Sequence, residues 1–398
     1  MNREASKKIG IASLIAFILA VPAGLLLPEL CGEIEFIGTV YVNLLKMMIV
    51  PVLFTGISAA LSSAGVNVPG ITLRTVLVFI AMFLASFLFC SGLWLLLKPG
   101  VGAVFTEIPW EGQIKELSLS EFVLSLFPSN IISSMADNSL LPVICFAFVF
   151  GIAVRECRFE KLSEIMVQLS GAFNKMLSYI MYITPAGVFA LMGNTVADFG
   201  GKILGTAALY IGCAWLGCAL IAFAVMMLPV WICCGISPVT YIKRVYKIWL
   251  ITLSTCSSAA TLPNTVRVCN EEFGVPESVT GLVVPLGCTI HMCGGAVSFS
   301  LLALFNMQMF GITPDFGMWC LMFIVALALN MGAPGIPGGG IVIGATYLSI
   351  LGVPLSFIGF YAGIYRPLDM AYTTMNVCGD ITANVLINKM IGTENEKN

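Results

Sequence analysis

Apolar runs long enough to cross a lipid bilayer recur along most of this chain, and they restrict it to the folds that lipid permits. From Ile9 to Leu27 there is no charged side chain, and comparable stretches with at most one charge each follow at 37–62, 72–97, 138–154, 167–194 and 203–233. A helical span needs about 20 predominantly apolar residues. Of the 398 residues 59% are apolar and only 10% charged, against roughly 25% charged in a soluble domain. So few charges cannot cover a soluble fold of this length, so lipid must face much of the surface. Backbone polar groups in lipid must be satisfied internally, which makes the expected fold all-α. A net charge of −2 leaves no surplus of Lys and Arg to neutralise phosphates, so nucleic acid is an unsuitable partner.

The first run is too long for a signal-peptide core and follows Arg3, Lys7 and Lys8, so it reads as the first span, with its N-terminus in the cytoplasm. Residues 28–36 carry Glu29, Glu33 and Glu35 and no base, whereas Arg74, then Arg155, Arg158 and Lys161, then Lys243, Arg244 and Lys247 mark the other ends. Basic loops alternate with acidic or neutral ones, as the positive-inside rule requires. Both termini are expected in the cytoplasm, in the plasma (inner) membrane. The 14 Cys form no CxxC pair and the chain has one His, so the thiols read as small buried hydrophobes rather than zinc ligands.

After residue 240 the apolar runs are interrupted. Residues 254–264 read STCSSAATLPN and 330–340 read NMGAPGIPGGG. Such backbone is tolerated at membrane depth only where protein or a water-filled cavity surrounds it, and the simplest geometry is a helical hairpin that enters and leaves by one side. A helix broken at GCTIHMCGG (287–295) follows the first, and one carrying NVCGD (376–380) follows the second. Paired interrupted segments in two halves point to a transporter binding site. The first hairpin is expected to enter from the cytoplasm and the second from outside, which makes the repeats inverted.

On the last helix, Arg366, Asp369, Thr373, Asn376 and Asp380 fall within an arc of about 80° at ~100° per residue. Each carboxylate in a span costs at least ~2.5 kcal/mol at mid-depth, so the pair needs partners and a cavity. A structural role is one reading, with Arg366 pairing Asp369 three residues on and Asp380 near the cytoplasmic end. The functional reading assigns tasks. Asp380 is a hard anionic oxygen ligand suited to Na⁺, Asn376 offers a neutral oxygen to the same ion or a donor to a carboxylate, Thr373 offers a hydroxyl, and Asp369 suits a substrate ammonium. The hairpin tips, with Ser257 and Ser258, offer N–H groups and hydroxyls to a carboxylate.

CSSAATLP (256–263), GxTIxM (287–292), GIPGGG (335–340) and NVxGD (376–380), with NLLKMMIVPVLF (43–54), LFPSN (126–130) and PAGVFALM (185–192), resemble the dicarboxylate/amino acid:cation symporter family of glutamate transporters and bacterial serine/threonine symporters. The resemblance implies about eight transmembrane helices with two re-entrant hairpins, a homotrimer and an elevator mechanism. Residues 1–70 (spans one and two) and 101–200 (spans four and five) would be scaffold. Residues 71–100 (span three) and 201–398 (span six, hairpin, span seven, hairpin, span eight) would move as the transport domain, with the second hairpin as outer gate. It further implies substrate contacts at Cys256, Ser257, Ser258, Gly295, Ile336, Gly338, Gly340, Asp369, Tyr372, Thr373 and Asn376. One sodium site would comprise Asn376, Asp380 and the backbone of Gly287 and His291, and a second Thr289, Met292 and the backbone of Asn330, Met331 and Ala333. No cofactor is implied beyond the coupling ion.

Three positions depart from the family pattern. Acidic-substrate members carry an Arg where Tyr372 stands, or in some archaeal members where Cys256 stands. A distal carboxylate calls for a bidentate cation, so a neutral amino acid is the expected substrate, imported with Na⁺. Arg366, one turn above Asp369, supports the alternative of an acidic amino acid or dicarboxylate carried with H⁺ or Na⁺. The family's NMDGT reads HMCGG at 291–295. Cys293 replaces a carboxylate, and hard cations prefer oxygen, so fewer sodium ions are expected. Gly295 replaces a substrate-contacting Thr, and the usual third-span partners are not obvious in 76–92. His291 replaces an Asn, as a neutral hydrogen-bonding imidazole or as a proton-coupling group.

An enzyme with Asp369 and Asp380 as a dyad fails on spacing. Eleven residues of helix separate them by roughly 16 Å, whereas a shared proton requires about 3 Å. A channel on the same fold would not concentrate its solute.

Overall fold

A computed structural model describes residues 3–62, 69–103, 124, 127–137, 140–331, 339–354 and 357–395. Among the described residues there are helices and no strands. The first span is α1 (Arg3–Leu26). The short α2 (Pro28–Glu33) leads to α3 (Glu35–Met47) and α4 (Ile49–Ser62). The run 37–62 is thus two helices that part at Met48, with Pro51 in the first turn of α4, where its missing N–H is tolerated. Next come α5 (Pro69–Leu97), the single turn α6 (Ile131–Ala136) and α7 (Leu140–Glu156).

The run 167–194, expected as one span, divides into α8 (Glu160–Ile180) and α9 (Thr184–Phe199), separated by a 3₁₀ turn at Met181–Ile183 and bent by 54°. The cause is local: Pro185 opens α9 and cannot donate to a continuing helix. The run 203–233 holds together as α10 (Lys202–Ile221), a π-helical turn (Ala222–Met227) and α11 (Leu228–Cys234). Pro229 starts α11, and the wider π turn takes up the backbone bonding that proline interrupts.

The C-terminal half comprises α12 (Pro238–Thr255), α13 (Ser258–Glu271), α14 (Glu277–Ile290), α15 (Cys293–Met309), α16 (Phe316–Met331), α17 (Gly339–Ile350) and α18 (Ile358–Asn395). Helices α12 and α13 pack side by side as the first hairpin. Its break is narrower than residues 254–264: only Cys256 and Ser257 leave the helix, and Pro263 is accommodated within α13.

Packing falls into two groups. Helix α1 lies along α9, α3 also meets α9, and α4 meets α7 and α8. In the other group α5 runs along α15, and α18 is surrounded by α10 and α12 to α15, while α9 joins the two groups by packing on α18 as well. From Ala371 to Ile387 every residue of α18 is buried, so Thr373, Asn376 and Asp380 of its polar stripe face the protein interior. Glu277–Met309, the broken helix, is 83% buried along its most apolar stretch, against 39% for Leu73–Leu97 and 44% for Lys202–Cys234. The latter two present Leu88, Leu96, Trp231 and Ile232 outward, as lipid-facing helices do.

Candidate functional site

The site begins at the hairpin break. Helix α12 ends where Cys256 takes a left-handed conformation (φ 49°, ψ 40°), with its N–H donating to Thr252 O at 2.8 Å. A non-glycine residue there is unusual and marks a constrained turn. Ser257 is extended and caps α13, its Oγ accepting from Ala260 N at 3.2 Å. The turn directs the N-terminus of α13 and the Ser258 hydroxyl toward α18.

A cavity of about 60 Å³ opens between these elements. One water needs roughly 10–15 Å³ on this scale, so the space suits a small polar solute. Cys256 and Ser258 line it from the hairpin, and Asp369, Tyr372, Thr373 and Asn376 from α18. Met292 and Gly295 contribute from the break between α14 and α15, Asn330 from α16 and Gly340 from α17. Eight of the substrate contacts expected from sequence therefore converge on one cavity. Ser257 does not line it, because its hydroxyl caps the helix. Ile336 and Gly338 lie outside the described residues.

Within the cavity wall, Thr373 Oγ1 donates to Asp369 Oδ1 at 3.1 Å, one helical turn away. Asn376 Oδ1 accepts from the Gly294 N–H at 2.8 Å, so its amide N–H groups are what it can present to a solute. Asn330, with its amide nitrogen toward Met292 O (3.2 Å) and its oxygen toward Met292 N (3.1 Å), holds the broken helix open. The Tyr372 hydroxyl is buried without a hydrogen-bond partner. Arg366 does not line the cavity. It is half-buried beside Cys256 and donates from Nη2 to Ser254 O at 3.1 Å.

Ser298, Phe299, Ile343 and Tyr365 also line the cavity and were not expected from sequence. Tyr365 borders the α18 stripe at helical spacing, one turn before Asp369, and Ser298 is one turn after Gly295. Extending each stripe by a turn would have found both. Ile343 and Phe299 carry no such signal.

The expected cation ligands separate. Met292, Asn330 and Asn376 line the cavity. Gly287, His291 and Asp380 form a buried cluster apart from it, where a Cβ on Gly287 would strike the Asp380 carboxylate. Thr289 is exposed, and its hydroxyl donates to Leu286 O at 2.8 Å. Met331 is half-buried at the end of α16, and Ala333 lies outside the described residues. The third span does supply partners: Phe79 stacks on His291 at 4.3 Å, and Ser86 stands against the Cys293 thiol.

The profile of the Sodium:dicarboxylate symporter family matches residues 10–390. The chain belongs to that family. Relatives include the "Proton/glutamate-aspartate symporter" of Escherichia coli, 29% identical over 88% of this chain and 84% of its own length. The "Proton/sodium-glutamate symport protein" of Bacillus subtilis is 28% identical over 97% and 94%. The "C4-dicarboxylate transport protein" of Rhizobium leguminosarum is 28% identical over 94% and 87%. This sodium:dicarboxylate symporter family member is therefore a multi-pass, all-α membrane transporter driven by a cation, and not an enzyme.

Proposed function

We propose that this transporter imports an acidic amino acid, aspartate or glutamate, with a coupling cation. The observation that carries the reading is one face of α18 that sets Asp369 in the cavity wall and Arg366 one turn earlier, beside the hairpin tip. Asp369 suits the substrate ammonium, and Ser258 with the N-terminus of α13 suits the α-carboxylate. Arg366 is the cation for the distal carboxylate, reached by exchanging the Ser254 carbonyl for a charge-assisted pair. The glutamate-transporting relatives support the same substrate class. A C4-dicarboxylate fits less well, because it has no ammonium and would bring a carboxylate against Asp369.

A second reading, import of a small neutral amino acid, rests on the lining itself. Among the described residues no Lys or Arg lines the cavity, and Tyr372 offers a hydroxyl that lacks a partner. The coupling cation is H⁺ or Na⁺, as the relatives' names allow, and the backbone around Met292 and Asn330 supports a sodium. By the family resemblance we place the protein in the plasma membrane as a trimer, both termini cytoplasmic. Residues 71–100 and 201–398 then travel against a scaffold of 1–70 and 101–200.

Counterflow in liposomes tests this, with radiolabelled L-aspartate, L-glutamate, L-serine, L-alanine, L-cystine and succinate, in Na⁺ or choline, at pH 6 and pH 7.5. Exchange of aspartate or glutamate supports the first reading. Exchange of serine or alanine alone replaces it with the second, and exchange of succinate alone removes the ammonium role of Asp369.

A further inference from the structure

Asp380 lies in the middle of the most enclosed stretch of α18, with 2% of its surface exposed. A buried carboxylate needs a counter-charge or several hydrogen-bond donors. The sequence suggests sodium as that partner, cradled by Asp380, Asn376 and the Gly287 carbonyl. In the structure a protein donor meets an oxygen of each of those three residues. Gly287 O accepts the His291 N–H at 2.8 Å, closing the last turn of α14. Asn376 Oδ1 accepts from Gly294 N at 2.8 Å. Asp380 Oδ1 meets His291 Nδ1 at 3.1 Å.

The imidazole is held from every side. With the proton on Nδ1 it donates to Asp380, and Nε2 then accepts from the Cys293 thiol at 3.2 Å. Phe79 of α5 stacks on the ring face with 6° between planes, and His291 is 1% exposed. Gly379 lets the ring in: a Cβ there would lie 2.9 Å from His291 Cε1. Ser86 of α5 closes the far end of the chain against Cys293. The ring therefore spans the gap between Asp380 and Cys293, and both nitrogens are used. A thiol and an N–H donor are poor company for a hard cation, which takes oxygen ligands.

We infer that the His291 side chain takes the place of a sodium ion as the partner of Asp380, so that this chain binds no sodium at that cluster. An Asp380–His291–Cys293 hydrogen-bonded chain joins α18 to the broken helix through side chains of the protein itself, where an ion would join them only when bound. The inference deepens the cation-coupled reading and leaves the Met292 and Asn330 region as the place for a sodium. It also yields a reciprocal statement: replacing His291 by Asn removes the donor from Asp380, supplies an amide oxygen and opens an oxygen site.

Sodium binding without substrate is the test, so that failure of the transport reading is seen separately. The full-length protein in nanodiscs is titrated with NaCl against choline chloride at constant ionic strength, and Tm is followed. An ion that binds the folded state raises Tm with concentration. Wild type and Asp380→Asn should respond equally to Na⁺, and His291→Asn should gain an upward shift of a few degrees that His291→Asn/Asp380→Asn lacks. A wild-type sodium shift that disappears in Asp380→Asn overturns the inference, as does a His291→Asn response identical to wild type. If His291→Asn cannot be purified, the comparison of wild type with Asp380→Asn still decides.

Discussion

The Gly294 N–H donates to Asn376 Oδ1 at 2.8 Å, tying the first turn of α15 to the middle of α18. This bond satisfies one of the N–H groups that a helix start leaves without an intrahelical partner. Asn376→Ala removes the acceptor inside the protein, where an unmet donor costs about 1–3 kcal/mol. The alanine variant should lose both thermal stability and substrate exchange. Paired melting and counterflow measurements check this, and an Asn376→Ala variant with wild-type Tm would refute the assigned bond.

Asp369 and Thr373 should separate by magnitude. Asp369→Asn removes the charge proposed to hold an ammonium, and hydrogen bonds to charged groups are worth about 1.5–3 kcal/mol. The half-saturating substrate concentration should rise by roughly tenfold or more. Thr373→Val removes only the hydroxyl that donates to Asp369 Oδ1 at 3.1 Å and should cost about 1 kcal/mol, roughly fivefold. Exchange assays across substrate concentration measure both. A Thr373→Val effect larger than that of Asp369→Asn would remove the carboxylate from the centre of the site.

Arg366 decides between the two substrate readings. Arg366→Met keeps most of the apolar stem beside Cys256 and loses the guanidinium that donates to Ser254 O. Aspartate exchange should fall at least tenfold, because a distal carboxylate would be left without a cation in a desolvated cavity. Serine and alanine exchange should be unchanged or improved. Undiminished aspartate exchange in Arg366→Met would rule out this role for Arg366.

Much of this was legible because lipid makes interruptions conspicuous. Ser, Gly and Pro clusters at membrane depth located the first hairpin and the break at His291 and Met292, and helical spacing placed Asp369, Thr373 and Asn376 on one wall. Hydropathy could not reveal that residues 167–194 bend at Met181–Ile183, since a proline at a helix start leaves the apolar pattern untouched. The extent of the first break was overestimated because Ser258 and Thr261 look like loop residues. In the structure Thr261 donates to Ser257 O at 2.8 Å and sits within helix. The orientation of His291 was the least accessible feature. The resemblance gave that position a backbone role, whereas the side chain turns to Asp380 because Gly287 and Gly379 leave room for the carboxylate and the ring.

Gly294 explains how α15 comes so close to α18. A Cβ on Gly294 would strike the Tyr372 carbonyl, with Tyr372 C and Cα each 2.6 Å away. Backbone cannot move aside as a side chain can, so Gly294→Ala must push the two helices apart. Overpacking of this kind costs about 1–3 kcal/mol, and the displacement also lengthens the bond to Asn376 and shifts Tyr372 in the cavity wall. Gly281 is the internal control: it lies within α14, is exposed, and a methyl group added there would meet no atom within 4 Å. Gly281→Ala should stabilise by about 0.5–1 kcal/mol through lower chain entropy. Thermal unfolding should therefore move in opposite directions for two chemically identical substitutions. Substrate exchange should fall only in Gly294→Ala. A neutral Gly294→Ala would mean that α15 and α18 are not in backbone contact, and the cavity between them would have to be redrawn.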